Sequence, residues 1–114
     1  ELNSLEIFSA ERNRLTEFPS VILDLENLRE LYLGDNFITA IPLDIDVLKN
    51  LEWLGLWSNL LRKFPSSLSD MPKLTTLDIL YNDMTFSEQT WLLELLPHIN
   101  VEMSEPCHCT FDDE

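Results

Sequence analysis

Leu5, Leu28, Leu51 and Leu74 stand 23 residues apart, and this interval constrains what the chain can fold into more than any other feature of it. Three residues after each leucine come Phe8, Leu31, Leu54 and Leu77, and two further on Ala10, Leu33, Leu56 and Ile79. Asn13, Asn36, Asn59 and Asn82 follow at the same interval, then Leu15, Ile38, Leu61 and Met84. The first three units continue with Phe18-Pro19, Ile41-Pro42 and Phe64-Pro65. Two later apolar columns also align: Ile22, Ile45 and Leu68, then Leu2, Leu25, Leu48 and Met71.

The alternation around Leu28, Leu31 and Leu33 fits a strand with one buried face, and the proline ends the strand-and-turn half. A convex, partly helical return completes the coil. One coil cannot bury its own apolar side, so successive coils must stack, share a core and pair their strands in parallel. In such a stack each asparagine amide is expected to bond backbone groups of its own and the neighbouring coil, a structural ladder with no catalytic role.

These columns resemble the leucine-rich repeat family, in its 23-residue class with a Leu/Ile/Phe-Pro step after the asparagine. Similar repeats occur in plant intracellular Ras-group proteins, animal Ras-pathway scaffolds and bacterial surface or secreted proteins. The resemblance implies an α/β fold: a right-handed solenoid of about four coils with a concave parallel β-sheet and a C-terminal capping helix. It also implies a binding role, with a protein as partner. The expected solenoid covers residues 1–103, with repeats starting near 5, 28, 51 and 74 and a cap over 87–103. Residues 104–114 are expected to form an acidic C-terminal tail.

The end units depart from the pattern. Phe8 and Ala10 replace leucines in the first, and Leu2 belongs to a coil whose remainder is missing, so an upstream repeat or cap is expected. The fourth lacks the proline step and runs through Ser87, Glu88, Trp91, Leu92, Leu93, Leu95 and Leu96. This predicts a capping helix with Ser87 as N-cap, Glu88 complementing the positive helix end and Pro97 as the stop. An edge strand from Ile99 to Met103 should follow.

If the leucine columns point inward, the alternate columns face the concave side. They read Ile7, Glu30, Trp53, Thr76; Ser9, Tyr32, Gly55, Asp78; Glu11, Gly34, Trp57, Leu80; Arg12, Asp35, Ser58, Tyr81; and Arg14, Phe37, Leu60, Asp83. The middle coils thus present Tyr32, Trp53, Trp57, Leu80 and Tyr81 as an expected exposed aromatic cluster, supported by Phe37 and Leu60 along the strand-to-turn edge. Such clusters mark interaction sites, and Trp and Tyr often dominate interface energy. Gly34 and Gly55, the only glycines, fall on the same face. They either form dips that admit a partner or lie beneath rings that cover exposed backbone. Arg12, Arg14 and Glu11 at one end, with Asp78 and Asp83 toward the other, form a charge gradient able to orient a partner.

Composition narrows the partner. Across 114 residues there are 21 acidic and 7 basic side chains, a net charge of -14 that repels phosphate backbones and anionic lipid. No apolar run reaches the roughly 20 residues of a membrane helix. A protein partner is expected, with neither nucleic acid nor membrane insertion, and the chain reads as a monomer. No asparagine lies in a glycosylation sequon, and the compartment stays open between cytoplasm and bacterial surface or secretion.

No nucleophile–base pair, carboxylate pair or phosphate loop is present, so the chain reads as a non-enzyme needing no cofactor. His98 reads as a surface residue at the end of the capping helix. Cys107 and Cys109 stand too close for an ordinary disulfide, and with His108 they make only a weak zinc motif whose fourth ligand would come from Asp112 or another chain. The competing reading of the whole is a structural or spacer segment of a longer repeat protein, with no binding site of its own.

Overall fold

The computed structural model describes residues 4–108. Its frame is a five-stranded parallel sheet whose strands pair in chain order: Ile7–Ser9 (β1), Glu30–Tyr32 (β2), Trp53–Gly55 (β3), Thr76–Asp78 (β4) and Asn100–Glu102 (β5). Leu31 lies opposite both Phe8 and Leu54, and Leu54 opposite Leu77, so the 23-residue columns are the register of the sheet. Leu77 then meets Val101, a step one residue longer.

The proline step starts each return. Pro19, Pro42 and Pro65 accept the N–H groups of Ile22, Ile45 and Leu68 at 3.0, 3.2 and 3.2 Å. These bonds open short 3₁₀ helices at Ser20–Asp24, Ile45–Val47 and Ser66–Asp70. So compact a return places Ile22, Ile45 and Leu68 in one fully buried column against the sheet leucines. Leu28, Leu31, Leu33, Ile38, Leu51, Leu54, Leu56, Leu61 and Leu77 complete this core, each without measurable exposure. In the first coil Leu5, Phe8, Ala10 and Leu15 are only partly buried.

The asparagine ladder is present at three of its four expected positions; Asn13 is exposed and donates only to the Ala10 and Glu11 carbonyls of its own coil, at 2.8 and 3.1 Å. The Asn36 amide donates to the carbonyls of Ala10, Leu33 and Gly34 at 3.1, 3.0 and 3.2 Å, and its Oδ1 accepts the Leu15 N–H at 3.1 Å. Asn59 repeats this with Leu33, Leu56, Trp57 and the Ile38 N–H, and Asn82 with Leu56, Ile79, Leu80 and the Leu61 N–H. Each of the three is buried, so leaving its backbone partners unpaired would cost about 1–3 kcal/mol.

A second column makes the ladder possible. Arg12, Asp35, Ser58 and Tyr81, each just before a ladder asparagine, have φ of 60°, 58°, 53° and 63°. Strict alternation after Leu33 would turn Asn36 outward; a left-handed residue at 35 breaks the alternation and turns the amide in. Their own N–H groups bond forward: Arg12 to the Gly34 carbonyl, Asp35 to Trp57, Ser58 to Leu80, and Tyr81 to the Ser104 hydroxyl. Left-handed backbone at a non-glycine residue costs roughly 1–2 kcal/mol, which the ladder and these bonds offset.

The capping helix (α1) spans Phe86–Leu95 and starts earlier than expected. Its N-cap is Thr85, not Ser87. The Thr85 hydroxyl accepts the Glu88 N–H at 3.3 Å, and Glu88 Oε1 accepts the Thr85 N–H at 2.9 Å, a reciprocal box that satisfies two helix-start groups. Leu92 and Leu96 seal the end of the core while Trp91 and Leu93 stay exposed. Leu92 follows Leu68 by 24 residues, the longer step seen in the β4–β5 register. Gln89, buried on the same side, donates to the Ser104 carbonyl at 3.0 Å.

Order continues past residue 103, since the Cys107 N–H donates to the Met84 carbonyl at 2.8 Å and the two segments form a parallel bridge at Thr85 and Cys107. Leu2, Cys109, Asp112 and the rest of the expected tail beyond His108 lie outside the described residues. No helix among the described residues is long and apolar enough to cross a membrane.

Candidate functional site

Each three-residue strand places its middle residue, a leucine in β2, β3 and β4, inward and its two flanking residues on the concave side. Of the sequence-predicted residues Tyr32, Trp53 and Gly55 lie in the strands on this face, Trp57 packs over Gly34, and Phe37, Leu60 and Tyr81 come at or after the left-handed column, where the chain leaves the strands. Tyr32, Trp53, Trp57 and Leu80 are half-buried, which corrects the picture of rings standing free in water. Those exposed as large apolar groups are Tyr81 at 67%, Phe37 at 51% and Leu60 at 47%, where the chain leaves the strands. Phe37 and Leu60 occupy one column on neighbouring coils, so their backbones run about 4.8 Å apart and the pair forms a continuous apolar edge.

The half-buried Trp57 ring lies flat because Gly34 leaves room for it. Gly34 and Gly55 are buried, and neither has a positive φ, so backbone freedom explains neither. A Cβ built on Gly34 would fall inside the Trp57 indole. On Gly55 it would reach Trp53 Nε1 and Tyr32 Cδ1 at 3.4 Å each, an ordinary van der Waals contact. Gly34 is therefore a floor under a ring and not an open dip, whereas Gly55 lies beside two rings with room for a methyl group. Tyr32 and Trp53 form a tilted pair with centroids 6.4 Å apart and planes at 37°.

Carboxylates edge these rings. Trp57 spans two coils and donates its indole N–H to Glu11 Oε2 at 3.0 Å, while the Arg12 guanidinium lies 5.5 Å above its ring. The Tyr32 hydroxyl donates to Glu30 Oε1 at 2.7 Å. That bond, then burial, then the charges of Glu30 and Glu11 push the phenol above its ordinary pKa, so Tyr32 stays a donor. Asp78, in the same column as Tyr32, is also pushed up. Burial is the main cause, with added repulsion from Glu102 and Glu11, opposed by the Leu80 N–H that its Oδ1 accepts at 3.2 Å. Sequence reasoning did not single out Glu11, Glu30 and Glu102 as a group with Asp78; the first two stood in the face columns, and Glu102 required the β5 register.

Other polar features lie off this face. Arg29 bridges Glu6 at 3.3 Å and Glu52 at 3.2 Å along the strand-entry rim. Arg62 approaches Glu88 to 2.9 Å at a recess of about 330 Å³ between α1 and the third coil, lined by Lys63, Phe64, Ser87 and Trp91 as well. Among the described residues no group of three or more His, Cys, Asp and Glu side chains is placed to hold a metal ion.

A leucine-rich repeat family model matches residues 26–84, the central coils that carry the face. Among curated relatives, an adenylate cyclase of Schizosaccharomyces pombe is 36% identical over 89 residues, covering 77% of this chain and 5% of the cyclase. A leucine-rich repeat serine/threonine-protein kinase 1 of Caenorhabditis elegans is 36% identical over 84 residues, covering 70% of this chain and 4% of the kinase. The chain thus spans a small fraction of the relatives it matches, which are multidomain proteins containing such repeats. A solved leucine-rich repeat protein of Leptospira interrogans superposes with a TM-score of 0.81 at 31% identity, over 86% of this chain and 25% of that one. An internalin of Listeria monocytogenes shares the fold, with a TM-score of 0.74 at 22% identity over 92% and 30% of the two chains. Domains of this kind are generally protein-interaction modules, typically non-enzymatic, although some are parts of larger enzymes. By the family model, by these relatives and by its own stacked coils, the chain belongs to the leucine-rich repeat family.

Proposed function

We propose that this chain docks a protein partner on its concave sheet face and on the strand-exit edge beside it. The observation that carries this reading is the exposure of Phe37, Leu60 and Tyr81 next to the half-buried Tyr32, Trp53 and Trp57. Exposed large apolar groups on neighbouring coils form the kind of patch whose removal from water drives association. The exposed edge supplies adaptable contact area, and the rings, already half-buried, supply a rigid floor that loses little entropy on binding.

The test is affinity capture from the native source with quantitative mass spectrometry, comparing three forms of the chain. In the first comparison Phe37→Ser, Leu60→Ser and Tyr81→Ser are combined. The control combines Val21→Ser, Leu43→Ser and Val47→Ser, which are also exposed but lie away from the sheet face. The edge variant is expected to lose a captured partner that the control retains, by tenfold or more if the edge supplies about 1.4 kcal/mol. Loss only in the control would defeat the reading. The alternative, a spacer within a longer repeat protein, draws support from the small share of the relatives that the chain spans; it predicts equal capture by all three forms.

A further inference from the structure

We propose that the sheet face receives a lysine- or arginine-bearing segment of a partner protein, whose cations lie between the ring faces and the surrounding carboxylates. This rests on the reading of the face as a protein-docking surface and specifies the chemistry of what docks.

Three observations converge on it. The first is geometric: two of the face's polar ring hydrogens, the Trp57 N–H and the Tyr32 O–H, donate to carboxylates, Glu11 and Glu30. A carboxylate at the positive edge of an aromatic ring leaves the negative face free, and that face attracts ammonium and guanidinium groups. The second is an internal precedent, since Arg12 already sits 5.5 Å over the Trp57 ring. With Gly34 beneath the Trp57 ring and Arg12 over it, an arriving cation would stack on the Tyr32–Trp53 pair, where Glu30 holds the Tyr32 hydroxyl; Arg12 and Arg14, the basic residues in the face columns, both belong to the first coil.

The third is charge. Glu11, Glu30, Asp78 and Glu102 come from four different coils: Glu11 bonds Trp57, Glu30 lies opposite Trp53, Asp78 opposite Gly55, and Glu102 opposite Asp78. Glu102 and Glu11 are near enough to Asp78 to disfavour its ionisation, so the face holds a crowded negative field that an added cation would relieve. The net charge of -14 extends this field outward and steers a cationic segment toward it. The apolar edge of Phe37, Leu60 and Tyr81 favours a polypeptide over a small polyamine, because it needs apolar side chains placed among the cations.

The probes are a synthetic decapeptide built of Arg, Leu and Ser, and its counterpart with Gln in place of Arg. Each is titrated calorimetrically into the full chain, with spermine as a third ligand. The arginine peptide is expected to bind about tenfold more tightly than the glutamine peptide. Combining Glu30→Gln, Asp78→Asn and Glu102→Gln keeps side-chain shape and acceptors and should erase most of that preference. Combining Asp24→Asn, Glu26→Gln and Asp70→Asn removes as much charge from exposed positions off the face and should leave the preference within about twofold. Equal losses in both variants, or no detectable binding of the arginine peptide, would overturn the proposal, and spermine binding as tightly as that peptide would move the site to polyamines. If the glutamine peptide binds as well as the arginine peptide and is lost on Trp53→Ala, the cationic chemistry fails while the docking face stands.

Discussion

Gly34 and Trp57 form a single unit, and the fate of one decides the other. The indole lies over the glycine, reaches Glu11 two coils away and carries Arg12 on its outer face. Gly34→Ala would place a methyl group where the ring now sits, so the ring must swing out and give up the Glu11 bond. Overpacking of this kind typically costs about 1–3 kcal/mol, and the displaced indole should show red-shifted fluorescence. In the double variant Gly34→Ala with Trp57→Ala, the alanine meets no ring, so its own cost should largely vanish in a double-mutant cycle of denaturant midpoints. Additive costs would mean that the ring does not rest on the glycine. The same contact makes Trp57 a structural residue as well as a surface one. The exposed Phe37, Leu60 and Tyr81 are therefore the cleaner positions for probing binding.

At the scale of elements, the strands and returns were legible from the columns because each side chain repeats at the same place on every coil. The start of α1 was misplaced because one local pattern was overlooked: Thr85 and Glu88 stand three apart, the spacing of a capping box, and outrank Ser87. The left-handed column of Arg12, Asp35, Ser58 and Tyr81 left no compositional mark, since no glycine or asparagine occupies it. Alternation places Trp53 on the concave face but does not give the packing of Trp57, which rests on Gly34 one coil away. Glu88 joins the elements, with one oxygen on the Thr85 N–H and the other 2.9 Å from Arg62. Glu88→Ala should lower stability by about 1–2 kcal/mol through the cap and loosen α1. Hydrogen exchange should then rise in residues 86–95 more than in the ladder residues Asn36 and Asn59; uniform protection would show that the box does not hold the helix.

For the whole molecule, an excess of carboxylates on stacked coils makes stability a function of pH, and Asp78 gives the sign. Its carboxyl is held above the ordinary range, first by burial and then by Glu102 and Glu11, so the folded state takes up the proton more readily than the unfolded chain does. Ionised Asp78 therefore disfavours folding. The penalty is complete above the raised folded pKa, shrinks as pH falls through it, and is gone below the ordinary carboxylate range of about 4. Asp78→Asn keeps an oxygen for the Leu80 N–H and removes the charge. It should melt at a higher temperature than the parent at neutral pH, with the two curves converging as pH is lowered toward about 4. A gap that persists in acid would assign the effect to packing, and a lower neutral melting point would mean that the Leu80 bond outweighs repulsion. Convergence would show that this face holds an ionised carboxylate at a cost to folding, set first by burial and then by Glu102 and Glu11, and an arriving cation would offset that cost.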